Sequence, residues 1–235
     1  MKSLLSIFVL LLPFTLAAPL ESEETVLTPA GLRSTSSVLQ VPDGGSINIS
    51  ENEIQLLNAS KNIIHVAPIN NSETKLETSG TVPQESGWVA YASWYNTGSP
   101  ISSFTTLWSV PPAPVTNHGQ TIFLFNSIEP ASGDAILQPV LQYGPSAAGG
   151  GAYWAVSTWY VTTSTTYYTP LVTVSAGQSL QGVIELTSST GSAYSYSSFF
   201  ADINGELRVN NSAELIWATE TLESYGVTTK TDYPK

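Results

Sequence analysis

From Trp88 onward the chain is cut by Gly, Pro and Ser clusters into ten short runs rich in Thr, Val, Tyr and Trp, and this punctuation constrains the fold more than any other feature. The runs are Trp88–Tyr95, Phe104–Val110, Thr121–Ile128, Ala135–Tyr143, Tyr153–Thr162, Leu171–Val174, Gln181–Leu186, Ala193–Phe200, Glu206–Val209 and Glu214–Thr219. Branched and aromatic side chains suit a pleated, half-buried surface. Runs of this kind, separated by turns, predict an all-β antiparallel β-sandwich over residues 88–235. Little in this half reads as helix.

Such a sandwich has to hold itself together by packing, because the chain has no cysteine. Disulfides, thiolate metal sites and a cysteine nucleophile are thereby excluded. Six Trp, eleven Tyr and seven Phe supply the bulk of a core, and roughly 150 residues are enough to enclose one.

The start of the chain reads differently. Residues 1–17 have the pattern of a secretory signal peptide: Lys2, an apolar run from Leu4 to Leu16, and small Thr15 and Ala17 at a cleavage point. The run is too short for a spanning helix and is soon followed by Pro19, Glu21, Glu23 and Glu24, so a retained anchor is disfavoured. The expected product is secreted and extracellular, with no membrane attachment once the signal is removed. Sequons at Asn48, Asn58, Asn70 and Asn210 fit a glycoprotein on that route.

Residues 18–87 form an acidic extension, with nine carboxylates against Arg33, Lys61 and Lys75 and turn signals at Pro42–Gly45 and Thr78–Gly80. Its alternating runs Ser46–Ile49 and Asn62–Val66 could add strands to a sheet edge. A propeptide and a permanent extension both fit this stretch.

The whole chain carries 18 acidic against 7 basic residues, a formal net of −11, or −12 without Lys2. A surface of that sign repels phosphate backbones, which argues against nucleic acid as a partner. It suits work in acid, where protonated carboxylates stop repelling one another; ordinary solubility explains the same charge.

Alternation along Tyr153–Tyr160 puts Tyr153, Ala155, Ser157 and Trp159 on one face and Trp154, Val156, Thr158 and Tyr160 on the other. Aromatics on both faces suggest a concave binding sheet as well as a core. The preceding Gly149-Gly150-Gly151 reads as a mobile loop or lid, and not as a phosphate loop, since neither Lys nor a helix start follows it.

Only two histidines occur, His65 and His118, and neither sits near a nucleophile elbow, so a Ser-His-Asp triad and a zinc site are disfavoured. Carboxylate chemistry remains. Glu129 closes the segment Phe125-Asn126-Ser127-Ile128-Glu129, and Gln138 stands inside the apolar Ile-Leu-Gln-Pro-Val-Leu, where a buried amide needs a reason to be. A single-strand glycosidase pattern such as Glu-x-x-x-Glu is absent, although Trp and Tyr for stacking on sugar rings are plentiful.

Five stretches in order resemble the fungal glutamic peptidases, the eqolisin family: Trp108-Ser109-Val110-Pro111, Phe125–Glu129 with Ala135-Ile136-Leu137-Gln138, Trp159-Tyr160, Val174–Leu180, and Ala213-Glu214-Leu215-Ile216. The resemblance spans roughly Trp88 to Glu223 and implies a concanavalin-like sandwich. It also implies a secreted acid endopeptidase in which a Glu activates water and a Gln amide holds the oxyanion. Gln138 falls on the catalytic Gln. The catalytic Glu falls on Ala218, a departure from the pattern. Alternation from Ala218 leaves Glu220 or Glu214 as the general base, one of them brought to Gln138 by a bulge.

Phe125, Glu129, Trp159, Trp154 and Tyr143 are the expected substrate-binding residues. No cofactor and no metal are implied, and a monomer is expected. The partner is a polypeptide substrate. The alternative is an inactive sandwich that binds peptide or extracellular cell-wall glycan.

Overall fold

The computed structural model describes residues 24–69 and 87–235. The signal-peptide pattern of residues 1–17 and the sequon at Asn70 lie outside them.

Each of the ten predicted runs is a strand. The described chain contains β1 (Thr25–Thr28), β2 (Gly31–Ser34), β3 (Val38–Gln40), β4 (Ser46–Ile49), β5 (Glu53–Leu57), β6 (Ile63–Pro68), β7 (Trp88–Tyr95), β8 (Ser103–Ser109) and β9 (Thr121–Pro130). It continues with β10 (Ala135–Ser146), β11 (Gly149–Thr162), β12 (Thr166–Tyr168), β13 (Val172–Thr173), β14 (Ser179–Thr190), β15 (Ala193–Phe200), β16 (Leu207–Ser212) and β17 (Leu215–Tyr225). Beyond strands, only two short 3-10 turns interrupt it.

The strands form two large sheets and one hairpin. The first sheet runs β3-β12-β11-β10-β9-β17-β7, with β13 on β11, and the second runs β6-β5-β4-β16-β15-β14-β8. Pairing is antiparallel except where N-terminal strands join, β3 on β12 and β4 on β16. The fold is an all-β sandwich. The described part of residues 18–87 is built into it: β3 supplies one edge of the first sheet, and β4, β5 and β6 supply three strands of the second. Residue 88 therefore does not mark the start of the sandwich.

Two apolar clusters fill the space between the sheets. One gathers Ile47, Ile128, Leu137, Tyr160, Tyr167, Leu207 and Ala218; the other gathers Ile122, Leu141, Tyr143, Trp154, Leu180 and Phe200. A third cluster lies on the outer face of the first sheet, where Phe123, Phe125, Val140, Trp159 and Val161 are covered by Ala30 and Leu27 of the β1–β2 hairpin. The sheet is thus buried on both faces at its centre. This is why β9 and β10 read as nearly unbroken apolar runs rather than as clean alternations.

The glycine run differs from the expected lid. Gly149, Gly150 and Gly151 pair with Ser146, Pro145 and Gly144 and continue β11 as half of a long hairpin. Gly150 has φ +105°, and a Cβ there would stand 2.4 Å from both Gly144 O and Gln142 Nε2. Glycine is present because the two strands approach too closely for a side chain. The hairpin tip is tied down by the Ala147 N–H, which donates to Leu27 O at 2.8 Å.

Candidate active site

The outer face of the first sheet carries the amide that sequence singled out. Along β9, alternation sends Ile122, Leu124, Asn126 and Ile128 toward the second sheet and Phe123, Phe125, Ser127 and Glu129 outward. Leu137 faces Ile128, so by the same register Gln138 stands beside Ser127, between it and Trp159. On the other side of β9, Thr219 of β17 is the partner of Ser127. The row across four strands reads Trp159, Gln138, Ser127, Thr219.

Around Gln138 this row is polar and closed. Gln138 is 1% exposed, and its amide oxygen has no hydrogen-bond partner. Ser127 Oγ and Thr219 Oγ1 lie 2.6 Å apart, and Thr219 Oγ1 and Thr221 Oγ1 lie 3.0 Å apart, a chain of hydroxyls beside the amide. Glu129 occupies the next row, across from Trp217. It is the diagonal neighbour of Gln138, a relation that places Cα atoms about 7 Å apart and within reach of long side chains. Glu129 and Arg33 of β2 line one small cavity. At the far end of the same face Glu223 accepts from the Ala30 N–H at 2.9 Å and from the Tyr225 hydroxyl at 2.5 Å.

The two carboxylates expected as general base are elsewhere. A register shift between Leu215 and Trp217 reverses the alternation of β17 at that point. Leu215 and Ala218 both enter the core, while Trp217 turns outward and stacks on Trp88 at 6.0 Å. Ala218 and Glu220 follow the inward parity, so Glu220 leaves the sheet on the side opposite to Gln138. There it accepts from the Thr106 hydroxyl of β8, and burial raises its carboxyl above the ordinary range against the lowering effect of that bond. Glu214 precedes the shift and lies beside Tyr194, whose hydroxyl is raised by burial and then by this carboxylate. Neither comes to Gln138.

The expected substrate-binding residues divide in the same way. Phe125, Glu129 and Trp159 share the outer face with Gln138. Trp154 and Tyr143 face each other inside the sandwich, ring centroids 5.3 Å apart, as core. Sequence reading missed Ser127, Thr219, Thr221 and Arg33. The adjacent polar pair Asn126-Ser127 within an apolar strand was the available signal. Among the described residues no cluster of three or more His, Cys, Asp or Glu is placed to hold a metal.

A strap closes this face. The β1–β2 hairpin lies over it, held at its tip by Glu223 and along β1 by Ala147. Ala30 at that tip has φ +120°, an unfavourable conformation for a residue with a Cβ.

No family model and no curated protein matches the chain. Among solved structures it is similar to Scytalido-glutamic peptidase with a peptide-based transition-state analog, at TM-score 0.41 and 18% identity over 64% of this chain and 71% of that one. A second structure of scytalido-glutamic peptidase, with a transition-state analog inhibitor, gives 0.40 and 20% over 59% and 65%. SCP-B, a member of the eqolisin family in complex with the tripeptide Ala-Ile-His, gives 0.38 and 20% over 59% and 64%. Likeness at these values says nothing about the reaction.

Proposed function

We propose that the protein is a secreted acid endopeptidase of the glutamic type, with Gln138 as oxyanion donor and Glu129, rather than Glu220 or Glu214, as general base. The observation that supports this reading is the shared face: Glu129 is the carboxylate diagonal to the Gln138 amide, in a hydroxyl-rich and largely apolar setting. Water attacks the peptide carbonyl carbon while Glu129 takes its proton. The Gln138 amide N–H donates to the oxyanion, and the proton passes to the amide nitrogen as the C–N bond breaks. Phe125 and Trp159 supply apolar walls for substrate side chains.

With the hairpin in place the face is closed, so this enzyme is latent until the strap moves. The test is cleavage of a denatured protein near pH 3 by the full chain and by Leu27→Asp, which loosens the strap. Activity should rise in Leu27→Asp and fall by about 10²–10³ when Gln138→Ala is added. Undiminished cleavage with Gln138→Ala, or none in any form, sinks the reading.

A second reading is favoured by β7, a sheet edge that exposes Tyr91 and Tyr95 on one face and Trp94 on the other. Exposed rings on an edge strand suit a non-catalytic sandwich that binds peptide or cell-wall glycan. Retention on insoluble polysaccharide without hydrolysis, lost in Trp94→Ala, would select it.

A further inference from the structure

Glu220 stands at an opening between the sheets. The second sheet ends at β8, while the first continues past that edge through β17 to β7. A cavity of about 390 Å³ opens there, lined by Thr106 and Trp108 of β8, Pro111 beyond it, Leu124 of β9 and Glu220 of β17. Its lining is mostly apolar. Across the strands from Glu220 stand Asn126 on one side and Ala92 on the other, and the small Ala92 leaves the carboxylate uncovered toward the edge.

The carboxylate at this opening calls for a donor. The Glu220 carboxylate accepts only from the neutral Thr106 hydroxyl and has no ion-pair partner among the described residues. Asn126 is fully buried, its Nδ2 donates to Phe104 O at 3.4 Å, and its Oδ1 has no hydrogen-bond partner. That oxygen lies beside the tip of the Trp108 ring over Gly182, where a Cβ would meet each at 2.7 Å, and Asn126 does not line the cavity. A half-buried carboxylate in an apolar opening is costly unless a cation or strong donor completes it.

The geometry points to a binding site for a primary ammonium group on an apolar stem, with Glu220 as its counter-ion and Trp108, Leu124 and Pro111 around the stem. The carboxylate takes the ammonium. The apolar lining takes the methylenes, and the Trp108 ring offers a cation an aromatic wall. A neutral ligand would leave the Glu220 charge unpaired, and an anion would be repelled by it and by the net charge of −11. The site is on the opposite face of the first sheet from Gln138 and does not depend on the proposed peptidase.

The experiment is calorimetric titration of the full chain at pH 7 with n-butylammonium, n-butanol and Nα-acetyl-lysine methylamide, repeated on Glu220→Gln. The ammonium should bind at least tenfold more tightly than the alcohol, and the preference should vanish in Glu220→Gln with the melting temperature of that variant no lower than wild type. Tighter binding of the lysine derivative than of butylammonium assigns the site to a lysine side chain of a peptide; equal or weaker binding assigns it to a free amine. Equal binding of alcohol and ammonium, an unchanged preference in Glu220→Gln, or no binding of either amine overturns the proposal. A second variant, Trp108→Leu, keeps the carboxylate and should weaken the ammonium more than the alcohol.

Discussion

Glu220 shows how a single side chain reports its place in the sheet. Burial disfavours its charged form more than the Thr106 hydroxyl restores it, so its folded carboxyl titrates above the ordinary value. The ionised form is the costly one. That cost is absent below the unfolded value near pH 4 and grows as the pH rises through the raised folded value. Glu220→Gln keeps the acceptor for Thr106 and removes the charge. It should stabilise the fold at pH 7 and have no measurable effect at pH 3. Urea unfolding at the two pH values checks this, and a variant less stable at pH 7 contradicts it. Asp232 has the opposite sign. Burial works against its charge, yet bonds from the Thr116 hydroxyl, the Thr228 and Thr229 N–H groups and the Thr228 hydroxyl hold the carboxyl well below the ordinary range. With His118 Nδ1 at 2.8 Å, it fastens the C-terminal segment to the loop before β9. Asp232→Asn should lower the melting temperature at pH 7, by an amount that begins to shrink only below about pH 4. Thermal melts at pH 7 and pH 3 read that difference.

Whole strands were more legible than the faces they present. The ten runs after Trp88 were visible because Thr, Val, Tyr and Trp cluster between turn residues, and each became a strand. Which carboxylate shares a face with Gln138 was not visible, because it depends on parity. In β17 unbroken alternation would place Glu214, Ala218 and Glu220 together, and one register shift after Leu215 breaks that pattern with no glycine or proline to announce it. Tyr143 and Trp154 looked like a groove because aromatic residues serve cores and binding faces equally well. The glycine run looked like a lid for a similar reason: sequence shows conformational freedom, and only the partner strand shows that freedom spent on close approach. At Gly150 the consequence is measurable. Gly150→Ala puts a Cβ 2.4 Å from a backbone oxygen at a φ of +105°, so the hairpin has to shift. A loss of roughly 2 kcal/mol or more is expected by chemical denaturation. Gly149→Ala would meet no atom within 4 Å and should lose less, though its φ of +100° still carries strain.

At the scale of the molecule the N-terminal strands matter most, because composition alone made them look like an appendage. Acidic and polar, they carry few of the aromatics that mark the later strands, yet Ile47 of β4 is fully buried in the inter-sheet core beside Leu207 and Val209. Parallel pairing brings β4 onto β16 and β3 onto β12, contacts between residues far apart in sequence that no local pattern records. These strands and the β1–β2 strap play different parts. The strap caps a face, whereas β3–β6 complete the sheets. A chain begun at Trp88 therefore loses four sheet strands, opens β16 and β12 as unpaired edges and exposes the Ile47 side of the core. It should aggregate or unfold without a cooperative transition. A chain cut once between residues 69 and 87, with both pieces retained, should keep the sandwich, since the N-terminal piece is held by main-chain ladders on β12 and β16 and by the core. Size-exclusion chromatography of the nicked protein checks this. Co-elution of the two pieces with an unchanged melting temperature supports an integral N-terminal half. Dissociation to a C-terminal piece that stays folded would make residues 24–69 a removable segment after all.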